Sequence, residues 1–172
     1  MTDVEYNTSD LPPLMALAVE LTGISLLDKG TVNPYFLIAS EKDAYQIEVD
    51  FSNQQQKEFT TVKIAAFLQH LNCDRYVFVT RIQFPAKAGD KEVMKQQVLI
   101  LHANKTGDSY DCFANLFDMK INEQLGMPQL KFSQQLDDFD GQFSNLFEAP
   151  PIPADLMDTL VKDLESHKYK PN

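Results

Sequence analysis

Phe132, Leu136, Phe139, Phe143, Leu146 and Phe147 recur at intervals of one to four residues, and this stripe constrains the fold more than any other feature of the chain. Burying each such side chain is worth about 1.5–3 kcal/mol, so four Phe and two Leu will not stay in water. The spacing predicts an amphipathic helical segment over 130–150, with Asp137, Asp138 and Asp140 on its wet side. Gly141 costs about 1 kcal/mol inside a helix and predicts a break there. Ala149-Pro150-Pro151-Ile152-Pro153 closes the segment. Its apolar side must dock on this chain's own body or on a partner. Phe132, Leu136 and Phe139 are expected to pack on the body, Phe139 being counted also among the residues that reach a partner. The Pro-rich closure leaves the second half able to swing, so Phe139, Phe143, Leu146 and Phe147 form the expected partner-binding set.

Upstream, the pattern alternates between helix and strand. Asp10 precedes Pro12 and Pro13, a capping residue before first-turn prolines, and Gly23 stands where a helix over 14–22 would stop. Leu14, Leu17, Ala18 and Leu21 form its inward stripe. Ile24 to Leu27 is an optional short strand. Tyr35 to Ala39 and Ala44 to Phe51 read as an antiparallel hairpin. In the second strand Tyr45, Ile47, Val49 and Phe51 alternate with Gln46, Glu48 and Asp50. A helix follows from about Phe59 to Leu71, after a polar connector containing Gln54-Gln55-Gln56. Arg75 to Ile82, Gln97 to Ala103 and Tyr110 to Phe117 are β-branched or aromatic runs and read as strands. The lysine-bearing stretch 85–96 reads as a mobile loop. A last helix is expected over 154–166, with Leu156, Leu160, Val161 and Leu164 on one side.

These elements predict an α+β fold with a mainly antiparallel sheet of five or six strands, in the order α-(β)-ββ-α-βββ followed by a C-terminal helical segment. One domain is expected over 10–125, with 126–172 as an amphipathic, Pro-rich appendage ending in a helix. The expected core is Leu17, Leu21, Phe36, Ile38, Tyr45, Ile47, Val49, Ile64, Phe67, Leu68, Val77, Val79, Leu99, Leu101, Cys112 and Ala114. The two helices are expected near one another. The C-terminal segment is expected on the second face of the 97–117 hairpin, where Ile100 and Phe113 lie.

Charge narrows the partners. The formal net charge is −10, distributed as −7 over residues 1–50, +1 over 51–129 and −4 over 130–172. A phosphate-tracking nucleic-acid binder needs a basic footprint, and an anionic membrane surface repels this balance. No apolar run approaches the ~18–20 residues of a membrane-spanning helix, and the acidic start lacks the pattern of a signal peptide, which predicts a cytoplasmic protein. The partner class that fits is a protein, a basic one or a second copy forming a homodimer.

Candidate chemistry is sparse. Cys73 and Cys112 make no disulfide framework, and no histidine or cysteine spacing matches a metal knuckle. A hairpin closing around Thr106 and Gly107 would set Leu101 opposite Cys112 and His102 opposite Asp111. Alternation then separates Cys112 from His102, so a thiol–imidazole pair is not formed. His102 with Asp111, joined by Arg81, is the remaining polar set from which a small enzyme with a strand-end site would be built. Asp137, Asp138 and Asp140 resemble the opening of a calcium loop, but Phe139 and Gln142 occupy the third and sixth positions, where a ligand and a glycine are required. Phosphate-cradling glycine motifs are absent, and no cofactor or metal is expected.

Two resemblances bear on function. Gln142-Phe143-Ser144-Asn145-Leu146-Phe147 is similar to the glutamine-leading, Leu-Phe-ending peptides that dock on bacterial sliding clamps. The order helix, hairpin, helix, strands and terminal helix resembles the small acidic chaperones of type III secretion, with an extra strand at Tyr110 to Phe117. That resemblance implies a partner-facing apolar surface. The expectation is therefore a non-enzymatic acidic protein that binds a partner, as an adaptor, inhibitor or chaperone-like regulator.

Overall fold

A computed structural model describes residues 12–49, 52–122, 124, 126–137 and 143–169. Tyr35–Ala39 (β1), Ala44–Glu48 (β2), Arg75–Ala88 (β3), Lys91–Thr106 (β4), Ser109–Asn122 (β5) and Met127–Asp137 (β6) form one antiparallel sheet in the order β2-β1-β3-β4-β5-β6. Pro13–Lys29 (α1), Gln54–Leu71 (α2) and Ala154–Leu160 (α3) complete an α+β fold.

The sheet is buried on both faces, which creates two cores. Leu14, Met15, Ala18 and Leu26 of α1 pack on Leu37, Val77, Val79, Val98, Ile100 and Phe117. On the opposite face, Ile64, Phe67 and Leu68 of α2 pack on Phe36, Ile38, Ile47, Tyr76, Phe78 and Leu101, and residues after 142 join them. The two helices therefore sit on opposite faces rather than together. Helix α1, not the C-terminal segment, covers the face of Ile100. Exchanging the two covers satisfies the same apolar alternation, so periodicity alone did not separate them.

Helix α1 runs past Gly23 to Lys29, so Ile24 to Leu27 is helical and not a strand. Burying Leu26 completely outweighs the helix cost of one glycine. The stop comes at Gly30, whose φ of 70° few side-chain-bearing residues tolerate and whose N–H bonds Leu26 C=O. The buried face is set by Met15, Ala18, Thr22 and Leu26, leaving Leu17 and Leu21 only partly covered. Asp10 lies outside the described residues. Helix α2 begins five residues earlier than expected because Asn53 Oδ1 accepts from Gln56 N–H at 2.8 Å, turning the Gln run into a first turn.

The largest correction lies at 127–137. The apolar spacing read as a helix belongs instead to β6, paired along β5. Leu116 faces Gln134 and Phe117 faces Phe132, which leaves Ser133 as an extra residue in β6. That bulge sends Phe132 to the α1 core and Leu136 to the α2 core. Beyond residue 126, β6 is the sixth strand of the sheet, and Phe143, Leu146 and Leu164 join the α2 core. Helix α3 is shorter than expected, followed by a 3-10 turn at Leu164–His167.

Stretch 85–96 is also strand, apart from the turn at Gly89-Asp90. Ile82 to Ala88 pairs with Gln97 to Lys91 beyond the reach of β1 and, past Gln97, of β5, so these residues form a two-stranded arm. Continuing the β4–β5 register would set Lys95 opposite Lys120, a like-charge pair that opposes further pairing. Lys95 instead meets Asp118 at 3.3 Å. Pro85, Lys87 and Lys91 on the arm discourage strand addition to its edges.

Candidate partner-binding site

The polar set of the enzyme reading is not assembled. The β4–β5 turn is Gly107-Asp108, two residues' worth of register from the expected closure, so His102 faces Phe113 and Asp111 faces Asn104. The even shift preserves faces, and Cys112 still lies with the α2 core, opposite His102. The His102 ring stacks on Phe113 at 5.2 Å, and its buried Nε2 has no hydrogen-bond partner among the described residues. Burial, reinforced by the charge of Arg75, pulls its pKa down to about 4. Asp111 is exposed. Arg81 donates to Thr31 Oγ1 at 2.8 Å and sits four residues along β3 from Val77, the cross-strand neighbour of His102, a separation of about 13 Å. The Cys73 thiol is pushed up to about 12 by burial and by Asp74, the reverse of what a nucleophile needs. A cleft of about 640 Å³ opens at one end of the sheet, between the β1–β2 turn, the α2–β3 link and the β4–β5 turn. It mixes Arg75 and Lys105 with Glu41 and Asp74, and none of His102, Asp111 or Arg81 lines it.

The segment after residue 142 is held both by its apolar side chains and through its backbone. Phe143 is 6% exposed and Leu146 3%, both within the α2 core. The Phe143 ring lies edge-on to Phe36 at 5.3 Å and 4.8 Å from Phe78. Phe147 is half-buried, 5.1 Å from Tyr76 and stacked on Tyr110 at 6.0 Å. Two side chains grip the segment's backbone. The Tyr76 hydroxyl donates to Phe143 C=O and accepts from Leu146 N–H at 3.3 Å. Gln69 donates from Nε2 to Pro150 C=O at 3.1 Å and accepts at Oε1 from Ile152 N–H at 3.0 Å. Burial raises the Tyr76 pKa, so the hydroxyl remains a donor.

The chain is then anchored separately. Leu160 and Leu164 are buried, Asp163 meets Lys63 at 2.7 Å and His167 at 3.2 Å, and Lys168 meets Asp43 at 3.3 Å. Burial pushes the Asp163 carboxyl up, but hydrogen bonds from Lys63 and His167 outweigh it and hold the pKa below the usual value. Tyr169 N–H closes onto Ala44 C=O at 2.8 Å.

Phe143 and Leu146, expected to face a partner, are thus buried in cis. The sheet surface beside α2 has to be covered, and this segment supplies the cover. Phe147 is partly spent in the same way, and Phe139 lies outside the described residues. Tyr76 and Gln69 were not singled out from sequence. The only signal was the phenolic hydroxyl of a tyrosine in an otherwise apolar strand, which requires a partner when buried.

Exposed apolar side chains lie on α1 (Ile24, Leu27), on the arm (Val93, Met94), at Tyr110 of β5, and on α2 and α3. Phe59 and Val62, one turn apart on α2, are 56% and 42% exposed, and Leu156 of α3, expected inward, is 44% exposed. Helix α3 packs on α2. Glu58, Asp155 and Asp158 flank these residues in sequence. No family model matches this chain, and comparison with curated proteins and with solved structures finds no match. None of the described helices is long and apolar enough to cross a membrane.

Proposed function

We propose that this chain is a non-enzymatic, acidic partner-binding protein, acting as an adaptor, inhibitor or chaperone-like regulator. The observation that carries the reading is the exposure of Phe59, Val62 and Leu156 on α2 and α3, apolar groups that the protein's own cores leave in solvent. The net charge of −10 favours a target with basic groups around an apolar contact. The scattering of His102, Asp111 and Arg81 supports the same reading, because a general acid–base site needs its groups within hydrogen-bond reach.

The test is retention of proteins from native extract on immobilised wild type and on Phe59→Ser/Val62→Ser. Both positions are exposed, so the double variant should keep its stability to within about 1 kcal/mol. A partner retained by wild type, released by salt and lost by the variant supports the proposal. Identical retention by both proteins defeats it. Sedimentation of the purified chain identifies the case in which the partner is a second copy.

A further inference from the structure

We propose that the groove beside α2 holding residues 143–152 is a peptide-recognition site, and that this segment is its resident intramolecular ligand. The occupant it fits in trans is a partner segment of the pattern Phe-x-x-Leu-Phe. This concerns a different surface from the outer face of α2 and α3, so the two readings can fail separately.

Three features set the segment apart from an ordinary covering loop. Its side chains enter distinct sockets: Phe143 against Phe36 and Phe78, Leu146 within the core, and Phe147 between Tyr76 and Tyr110. Asn145, between the anchors, is exposed. Its backbone is read by side chains of the body rather than by a strand ladder. Tyr76 takes a carbonyl and an N–H three residues apart, and Gln69 takes a carbonyl and an N–H two residues apart. Such contacts hold a chain of any sequence and leave selection to the sockets, the division of labour found in peptide-binding grooves.

The third feature is independent anchoring. Strand β6 pairs with β5 up to Asp137, and the chain beyond 152 is fixed by Leu160, Leu164, the Lys63–Asp163 ion pair and the Tyr169–Ala44 bond. Residues 143–152 therefore sit between two separate attachments and can leave the groove without detaching either.

Tethering determines how the site behaves. A cis ligand is presented at an effective concentration of about millimolar, so a trans peptide of equal intrinsic affinity competes poorly. Weakening the cis anchors should expose the site, whereas weakening the groove should abolish binding of either ligand.

The experiment uses the full chain and a fluorophore-labelled synthetic peptide with the sequence of residues 143–153, read by fluorescence anisotropy. Phe143→Leu/Phe147→Leu keeps apolar side chains at both positions, and Phe143→Ala/Phe147→Ala removes more. Far-UV circular dichroism identifies which variants remain folded, and the leucine pair serves if the alanine pair unfolds. The folded variants should bind the peptide at least about tenfold more tightly than wild type. Adding Tyr76→Phe should weaken that binding by about thirtyfold or more, through loss of the hydroxyl's two backbone bonds. A scrambled peptide should not bind. Folded variants that bind no better than wild type overturn the proposal, as does peptide binding indifferent to Tyr76→Phe. A wild-type dimer that dissociates on Phe143→Leu/Phe147→Leu also overturns it, because the groove then serves a second copy of the chain.

Discussion

Replacing Tyr76 by Phe removes one oxygen and leaves the ring packed against Phe36 and Phe147. The oxygen joins two backbone groups of the C-terminal segment, Phe143 C=O and Leu146 N–H, in a region where Phe143 and Leu146 are almost fully buried. Each hydrogen bond contributes about 0.5–1.5 kcal/mol net, and a buried group left without a partner costs about 1–3 kcal/mol. The expected loss is about 2–3 kcal/mol, or roughly 4–10 °C in Tm for a chain of this size. Urea titration should show a lower midpoint with an unchanged slope, because the surface exposed on unfolding stays the same. Hydrogen exchange should accelerate at the Leu146 amide before the strand amides of β3. A loss below about 0.5 kcal/mol, with Leu146 exchange unchanged, would falsify the reasoning that this hydroxyl clamps the segment.

Deleting Ser133 should cost more than about 2 kcal/mol, since it removes the bulge and turns Phe132 or Leu136 to the wrong face; thermal unfolding measures it. His102 is held neutral with a pKa near 4, so the unfolded chain takes up its proton first as pH falls. Stability should then decline from about pH 6.5 toward pH 4, by up to about 3 kcal/mol from this group. His102→Leu should flatten the pH profile in that window, and an unchanged profile would count against a buried neutral imidazole. Asp163→Asn should cost no more than about 1 kcal/mol near neutral pH, because its carboxylate is 45% exposed. Its folded pKa is depressed, so the difference from wild type should vanish as pH falls through the carboxylate range, as paired urea titrations would reveal.

Much of the sheet is legible in residue types. The β1–β2 hairpin follows from the alternation of Tyr45 and Ile47 with Gln46 and Glu48, and α2 from Ile64, Phe67 and Leu68. Elsewhere, local pattern was ambiguous. Phe132 and Leu136, four apart, satisfy a helical stripe, whereas in a strand they serve opposite cores only because the extra residue Ser133 breaks the alternation. The choice went to strand because the edge of β5 offered backbone hydrogen bonds to a neighbour. Pro85 and the lysines of 85–96 suggested a loop, yet Gly89, with φ 67°, closes a two-residue turn and lets the arm zip. At the candidate site, the anchors Phe143, Leu146 and Phe147 stood out in sequence, whereas Tyr76 and Gln69 did not. A residue's own periodicity carries no record of a backbone group that arrives about 70 to 80 positions later.

The sequence by itself determined the α+β class, the acidic balance, and the need to bury the aromatic stripe ending at Phe147. These depend on composition and on neighbours within a turn or a hairpin, where the chain's own geometry sets the distances. Only the tertiary structure decided that the stripe is part strand and part strap, that α1 and α2 take opposite faces, and that Phe143 and Leu146 dock in cis. Those outcomes turn on which of several apolar surfaces meets which, a competition among long-range contacts of similar chemistry. Burial free energy is nearly indifferent to the identity of an apolar partner, so the choice falls to backbone hydrogen bonding and shape in the assembled sheet.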